Sequence, residues 1–252
     1  MSAYSVSEAN DPSCIILGTM RLHEADRDAA AWARFFAAAH ERGVRRLHVS
    51  NEYDSWPLFL EVLSQPAMPR DFAYVAKLAD PHFGEAGFDA QRLAERIDSY
   101  RADLRIDRID DVQWMWRPDL DNEDKRLADF GAAADRIGKT GERLRESGAI
   151  SRLMCFPYTT GFADKAIESR SFDGLVVYRN LEETDFDGQV MRAAIAGLPT
   201  LAIRPFLAGR TIASQGPTPG AQVAAVLGLK GVEAAILSTS SIAHLDEVLA
   251  GK

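Results

Sequence analysis

Short apolar runs alternate with amphipathic stretches from one end of the chain to the other. The runs at 14–18, 45–49, 73–78 and 111–116 read as strands, as do those at 152–156, 174–178, 200–203 and 234–237. Most are rich in Val, Ile, Leu or aromatic residues, the pattern of strands buried on both faces. Between them a helical period takes over. Asp26 is placed to cap a helix with Trp32, Phe35, Phe36 and Ala39 on one face, and Gly43 is placed to end it. Asp89 opens a second, with Leu93, Ile97 and Tyr100 in helical register. Residues 121–147 form a long helical segment that Gly148 ends, and 217–229 and 242–249 supply two more. Strand–helix alternation of this length, with no linker rich in Pro, Gly or Ser, predicts an α/β fold. The expectation is one (β/α)8 TIM barrel domain over residues 1–252, with 1–12 as a flexible N-terminus. The alternative is an open doubly wound sheet. No Gly-x-Gly-x-x-Gly follows the first strand, and Leu17-Gly18-Thr19-Met20 is a poor phosphate cradle.

Composition narrows the partners. The 252 residues are 46% hydrophobic, ample for a full core, and carry a net charge of -8. An acidic surface argues against nucleic acid or an anionic membrane as the main partner, which leaves a small molecule. Cys14 and Cys155 lie far apart inside apolar runs, the placement of buried thiols in a reduced compartment. No apolar run approaches the ~20 residues that span a bilayer. Residues 1–12 lack a basic segment followed by an apolar one, so a cytoplasmic protein is expected.

In a barrel of this kind the chemistry gathers where strands end. Those ends carry Thr19 and Arg21, then His48, Asn51, Glu52 and Tyr53, then Lys77, Asp80 and His82. Trp116, Arg117, Phe156, Tyr158, Tyr178, Arg179, Arg204 and residues 238–241 complete the set. Tyr53 and Lys77 end neighbouring strands and are expected side by side. A lysine ammonium beside a phenol is expected to lower its pKa and make it a better proton donor. Trp114 and Trp116 alternate on one strand and so point the same way, either into the core or towards a flat ligand. No cluster of His, Cys or carboxylates has metal-ligand spacing, so no metal is expected.

Several segments, in order, resemble the aldo-keto reductase superfamily. Glu41-Arg42-Gly43 through Leu47-His48-Val49-Ser50-Asn51-Glu52-Tyr53 looks like the segment leading to that family's catalytic tyrosine. Val75-Ala76-Lys77 looks like its lysine strand, and Arg117-Pro118-Asp119 like the loop after its fourth strand. Ser147-Gly148-Ala149-Ile150-Ser151-Arg152 resembles the approach to its fifth strand. Arg204-Pro205-Phe206-Leu207-Ala208-Gly209 resembles its cofactor-covering loop, and Ser238-Thr239-Ser240-Ser241 its closing phosphate loop. The resemblance implies Tyr53 and Lys77 as catalytic residues. It puts His48 in place of the family's aspartate and Trp116 in place of its histidine. Two of four tetrad positions are therefore altered.

For the cofactor the resemblance implies NADP or NAD, held by Arg204, Phe206, Leu207, Gly209, Ser238, Thr239, Ser240 and Ser241. Glu52, His82, Arg117 and Tyr178 fall where substrate would bind. The family's Ser-Asn pair for the nicotinamide amide falls at Phe156-Pro157, its glutamine at Val176 or Val177, and its phosphate-binding arginine near His244. Proline has no N–H and phenylalanine no polar handle, so absence of any cofactor stays open. The expected function is nicotinamide-dependent reduction of a small carbonyl compound, a sugar-like one being an option, with Tyr53 as proton donor. The alternatives are a non-redox isomerase, epimerase or lyase, and a ligand-binding protein without catalysis, on the same barrel.

Overall fold

The alternation resolves into eight parallel strands that close on themselves in chain order, in a computed structural model that describes residues 11–210 and 217–251. They are β1 (Ile15–Gly18), β2 (Arg46–Val49), β3 (Ala73–Ala79), β4 (Ile109–Met115), β5 (Ile150–Phe156), β6 (Gly174–Tyr178), β7 (Thr200–Ile203) and β8 (Val232–Leu237). Closure is made by β1 against β8, with Leu17 opposite Leu237. The helices between and after them are α1 (Ala29–Glu41), α2 (Trp56–Leu63), α3 (Ala90–Leu104), α4 (Glu123–Glu146), α5 (Thr160–Ser169), α6 (Asp187–Ile195), α7 (Pro219–Leu227) and α8 (Ile242–Ala250). The flexible terminus expected at 1–12 lies, up to residue 10, outside the described residues. Among the described residues, no helix is long and apolar enough to cross a membrane.

The cap of α1 is Asp28 rather than Asp26. Its carboxylate accepts from the Ala31 N–H at 2.7 Å, the reach of an N-cap to the third helical residue. Asp89 caps α3 as expected, accepting from Gln91 and Arg92 N–H groups. Gly43 (φ +94°) and Gly148 (φ +75°) take the left-handed conformation that lets the chain leave α1 and α4.

Strand residues alternate between two cores. Leu47, Val49, Ala76, Leu78, Trp114 and Cys155 face outward into the layer shared with the helices. Ile16, Val75, Met115, Met154, Val176, Leu201 and Ile236 fill the barrel itself. Towards the N-terminal ends of the strands the interior turns ionic. Arg46 and Arg152 both bind Glu233, at 2.7 and 2.6 Å, and Arg152 also holds the buried Asp111. The opposite end is left open. Inward parity there selects His48, Lys77, Gln113, Phe156 and Tyr178.

Candidate active site

The C-terminal strand ends surround a cleft of about 620 Å³ whose lining includes His48, Tyr53, Lys77, Gln113, Met115, Phe156, Tyr158, Tyr178, Arg204, Phe206 and Gly209. A second cavity of about 350 Å³ continues from it along β1 and β8 to the start of α8. Gly18, Arg21, Glu24, Phe206, Leu237 and Ser238 line both, so the two form one groove. Thr239, Ser240, His244 and Glu247 line its far part.

Tyr53 sits in the tight turn after β2, where its N–H reaches the Ser50 carbonyl at 3.2 Å and its carbonyl accepts from Trp56 at 2.8 Å. Tyr100 of α3 ties this turn to β3. Its hydroxyl lies 2.7 Å from the Lys77 carbonyl oxygen and accepts from the Asn51 N–H at 2.8 Å. Turn and strand are thereby fixed together, and the Lys77 ammonium lies 4.9 Å from the centre of the Tyr53 ring, over its face. Glu52, the residue before Tyr53, pairs with that ammonium at 3.3 Å. The same carboxylate takes Arg117 and stands 3.3 Å from His82, and Arg117 reaches His82 Nε2 at 2.6 Å. His48 of β2 completes the centre. Its Nδ1 is 3.4 Å from the Tyr53 hydroxyl, and its Nε2 is 2.9 Å from Gln113 Oε1 on β4.

Burial dominates the electrostatics. It pushes the Tyr53 phenol above its ordinary value; nearby Tyr100, Glu52 and Tyr178 add to this and Arg117 opposes it. The expected lowering by Lys77 is therefore corrected: the ammonium stands over the ring and is paired with Glu52, and desolvation outweighs its field. Burial lowers Lys77 too, with Glu52 opposing. It lowers His48 to about 4, so the imidazole is neutral near pH 7.

Of the residues expected at the site, Tyr53, Lys77, His48, Tyr178, Arg204, Phe206, Gly209 and Ser238 meet at the cleft. Thr239 and Ser240 lie in the far part of the groove. Ser241 caps α8, accepting from the His244 N–H, and Leu207 is buried. Glu52, His82 and Arg117 form the ionic cluster beside Lys77. Trp116 is a correction. It follows the last residue of β4, shares the outward parity of Trp114, and packs with Phe130 of α4 at 6.5 Å between ring centres. The inward residues of β4 are Asp111, Gln113 and Met115, so Met115 takes the cleft position expected of Trp116. Gln113 escaped notice for the same reason, although a polar side chain on an apolar strand was its signal. Arg126 of α4 was missed as well. Fully buried, it donates to the Pro157 carbonyl at 3.2 Å and lies 5.7 Å from the Tyr158 ring, supporting that wall of the cleft.

The groove is elongated, running from the cleft past Gly18 to the start of α8. A Cβ on Gly18 would come within 2.6 Å of Ser238 Oγ, so a larger residue where the two cavities join would turn the serine side chain aside. Phe156 meets Tyr158 and Tyr178 edge-on, at 4.6 and 5.1 Å, forming an aromatic wall suited to a flat ring. Phe156, Pro157 and Val176, the inward member of its valine pair, are buried and offer no polar side chain for a carboxamide.

No family model matches the chain, and no curated protein matches it. Solved structures do. A protein from Pseudomonas aeruginosa assigned to the aldo-keto reductases superposes with a TM-score of 0.72 at 20% identity, over 94% of this chain and 89% of that one. Aldo-keto reductase AKR11C1 from Bacillus halodurans, in its holo form, gives 0.71 at 14% identity over 94% and 86%. An aldo-keto reductase from Klebsiella pneumoniae in complex with NADPH gives 0.67 at 20% identity over 94% and 84%. The chain has the (β/α)8 barrel fold of the aldo-keto reductases.

Proposed function

We propose that the protein is an aldo-keto reductase-type oxidoreductase that reduces a small carbonyl compound, with Tyr53 as proton donor and NADPH or NADH in the groove. The observation that carries this reading is the Tyr53 hydroxyl at the cleft, backed by His48 Nδ1 at 3.4 Å and by the Lys77 ammonium 4.9 Å from its ring centre. When bound, a reduced nicotinamide dinucleotide supplies the hydride. Arg204, Phe206, Gly209, Ser238, Thr239 and Ser240 line the groove and would hold it. The raised pKa keeps the Tyr53 proton in place at neutral pH and makes it harder to give up, so its transfer to a carbonyl oxygen relies on the nearby Lys77 ammonium. The 3.4 Å contact to His48 is long for a hydrogen bond, so the hydroxyl can leave it for a closer acceptor. Lys77 opposes the negative charge that grows on the phenol oxygen, and Glu52, with Arg117 and His82 around it, keeps Lys77 in place.

A second reading, proton transfer or ligand binding without hydride, is favoured by one observation. Phe156, Pro157 and Val176 give a carboxamide no side-chain partner. Calorimetric titration with NADPH and NADH separates the two. Each lost hydrogen bond to the neutral carboxamide costs roughly 0.5–1.5 kcal/mol, so two losses weaken binding by about tenfold or more. Saturable binding at micromolar or weaker dissociation constants is expected. Submicromolar binding would mean that other groups replace the missing anchors, and no binding of either dinucleotide would transfer the site to the second reading. Once a carbonyl substrate is found, Tyr53→Phe should lower turnover by ~10²–10⁴ while leaving the dinucleotide affinity within about twofold.

A further inference from the structure

Two residues of the centre are bound to each other through a third that faces the cleft beside them. His48 uses both ring nitrogens: Nε2 is 2.9 Å from Gln113 Oε1, and Nδ1 is 3.4 Å from the Tyr53 hydroxyl. Gln113 is buried at 2% exposure, and its amide nitrogen lies 3.9 Å from Met115 Sδ. A thioether only accepts, so it favours the NH2 side of the amide and leaves the carbonyl oxygen facing His48. That oxygen also only accepts. The proton of a neutral imidazole must then sit on Nε2, and the lone pair on Nδ1. With its lone pair towards Tyr53, the ring accepts from the phenol. The opposite amide orientation would reverse every link: Nδ1–H would point at the phenol oxygen and Tyr53 would become an acceptor.

We propose that Gln113 is a positioning residue that fixes His48 as the Nε2–H tautomer, so that His48 Nδ1 receives and orients the hydroxyl proton of Tyr53. The titratable groups facing the ring are Tyr53 from the turn after β2 and Lys77 from β3, with Glu52 and Arg117 beyond Lys77. Burial keeps the ring neutral across the working range, so the tautomer rather than the ionisation state sets the direction of the hydrogen bond. The proposal rests on the reading of Tyr53 as the proton donor only for its catalytic meaning; the tautomer itself is read on the ligand-free protein.

The experiment is long-range ¹H–¹⁵N correlation on protein labelled with ¹⁵N-histidine, the His48 resonances being those lost in His48→Gln. Wild type should show a protonated Nε2 and an unprotonated Nδ1, unchanged between about pH 8 and 5.5. Gln113→Leu should lose this pattern in favour of a tautomer mixture or the Nδ1–H form. Gln113→Glu keeps an acceptor at the same place, so it should retain Nε2–H and move the titration of His48 upward. It serves as the second readout if the leucine variant fails to fold. An Nδ1–H tautomer in wild type would overturn the proposal. So would an unchanged Nε2–H pattern in Gln113→Leu, or a glutamate variant that turns to Nδ1–H or leaves the titration of His48 where it was. Loss of dinucleotide binding would touch the redox reading and leave this result standing.

Discussion

At the scale of single residues, burial decides more than charge. His48 falls from an ordinary 6.5 to about 4 because its ring is desolvated. The unfolded chain therefore takes up a proton at this residue that the folded one refuses. The stabilising effect of keeping it neutral is complete above pH 6.5 and is lost as the pH falls towards 4, by roughly 3 kcal/mol over that window. Urea unfolding at pH 7.5 and 4.5 should show a larger drop for wild type than for His48→Gln, and equal drops would contradict the assignment of the proton. Tyr53 and Lys77 were legible in the sequence because both fall near the C-terminal ends of apolar runs, Tyr53 in the turn after β2 and Lys77 close to the end of β3. Trp116 was misplaced and Gln113 overlooked because strand parity is a property of the barrel. One residue of register moves a side chain from the cleft to the helix layer.

Elements were readable to the extent that their signals are local. All eight strands occur where apolar runs fall, and β6 and β7 have the expected ends. Five helices were marked by caps, glycines and period. The brief α2 and α6 have no side-chain cap to mark their starts, and α5, capped by Thr159, is also short; packing against the barrel holds all three. Among the caps, Asp26 and Asp28 are chemically alike, and only the path of the loop places Asp28 against the Ala31 N–H. The longest helix, α4, starts at Asn122, whose side-chain oxygen accepts from the Lys125 N–H at 3.1 Å. Asn122→Ala should lower stability by ~1 kcal/mol in chemical denaturation without changing dinucleotide affinity. A change below about 0.3 kcal/mol would mean that the N-terminus of α4 is held by its tertiary contacts instead.

At the scale of the whole molecule, the barrel is filled by an ionic cluster at one end and opens into the cleft at the other. Arg152 binds the buried Asp111 and also Glu233, which Arg46 shares. Arg152→Met would leave Asp111 buried without that partner, and breaking a buried pair from one side costs about 3–5 kcal/mol. Thermal melts should show the loss at pH 7.5. It should shrink at lower pH, because the uncompensated carboxyl can take a proton; a loss independent of pH would point to packing instead. The sequence by itself determined the alternation, hence the barrel, and with it the ring of strand ends that carries Tyr53, Lys77 and His48. Those are consequences of local hydrophobic period and of chain order, which a sequence contains. Only the tertiary structure decided that Lys77 stands over the ring of Tyr53 under the hold of Glu52, that desolvation outweighs its charge, that Met115 rather than Trp116 enters the cleft, and that Gln113 faces His48. Each depends on the register between neighbouring strands and on how much water the closed barrel excludes, which are set by residues distant in the chain.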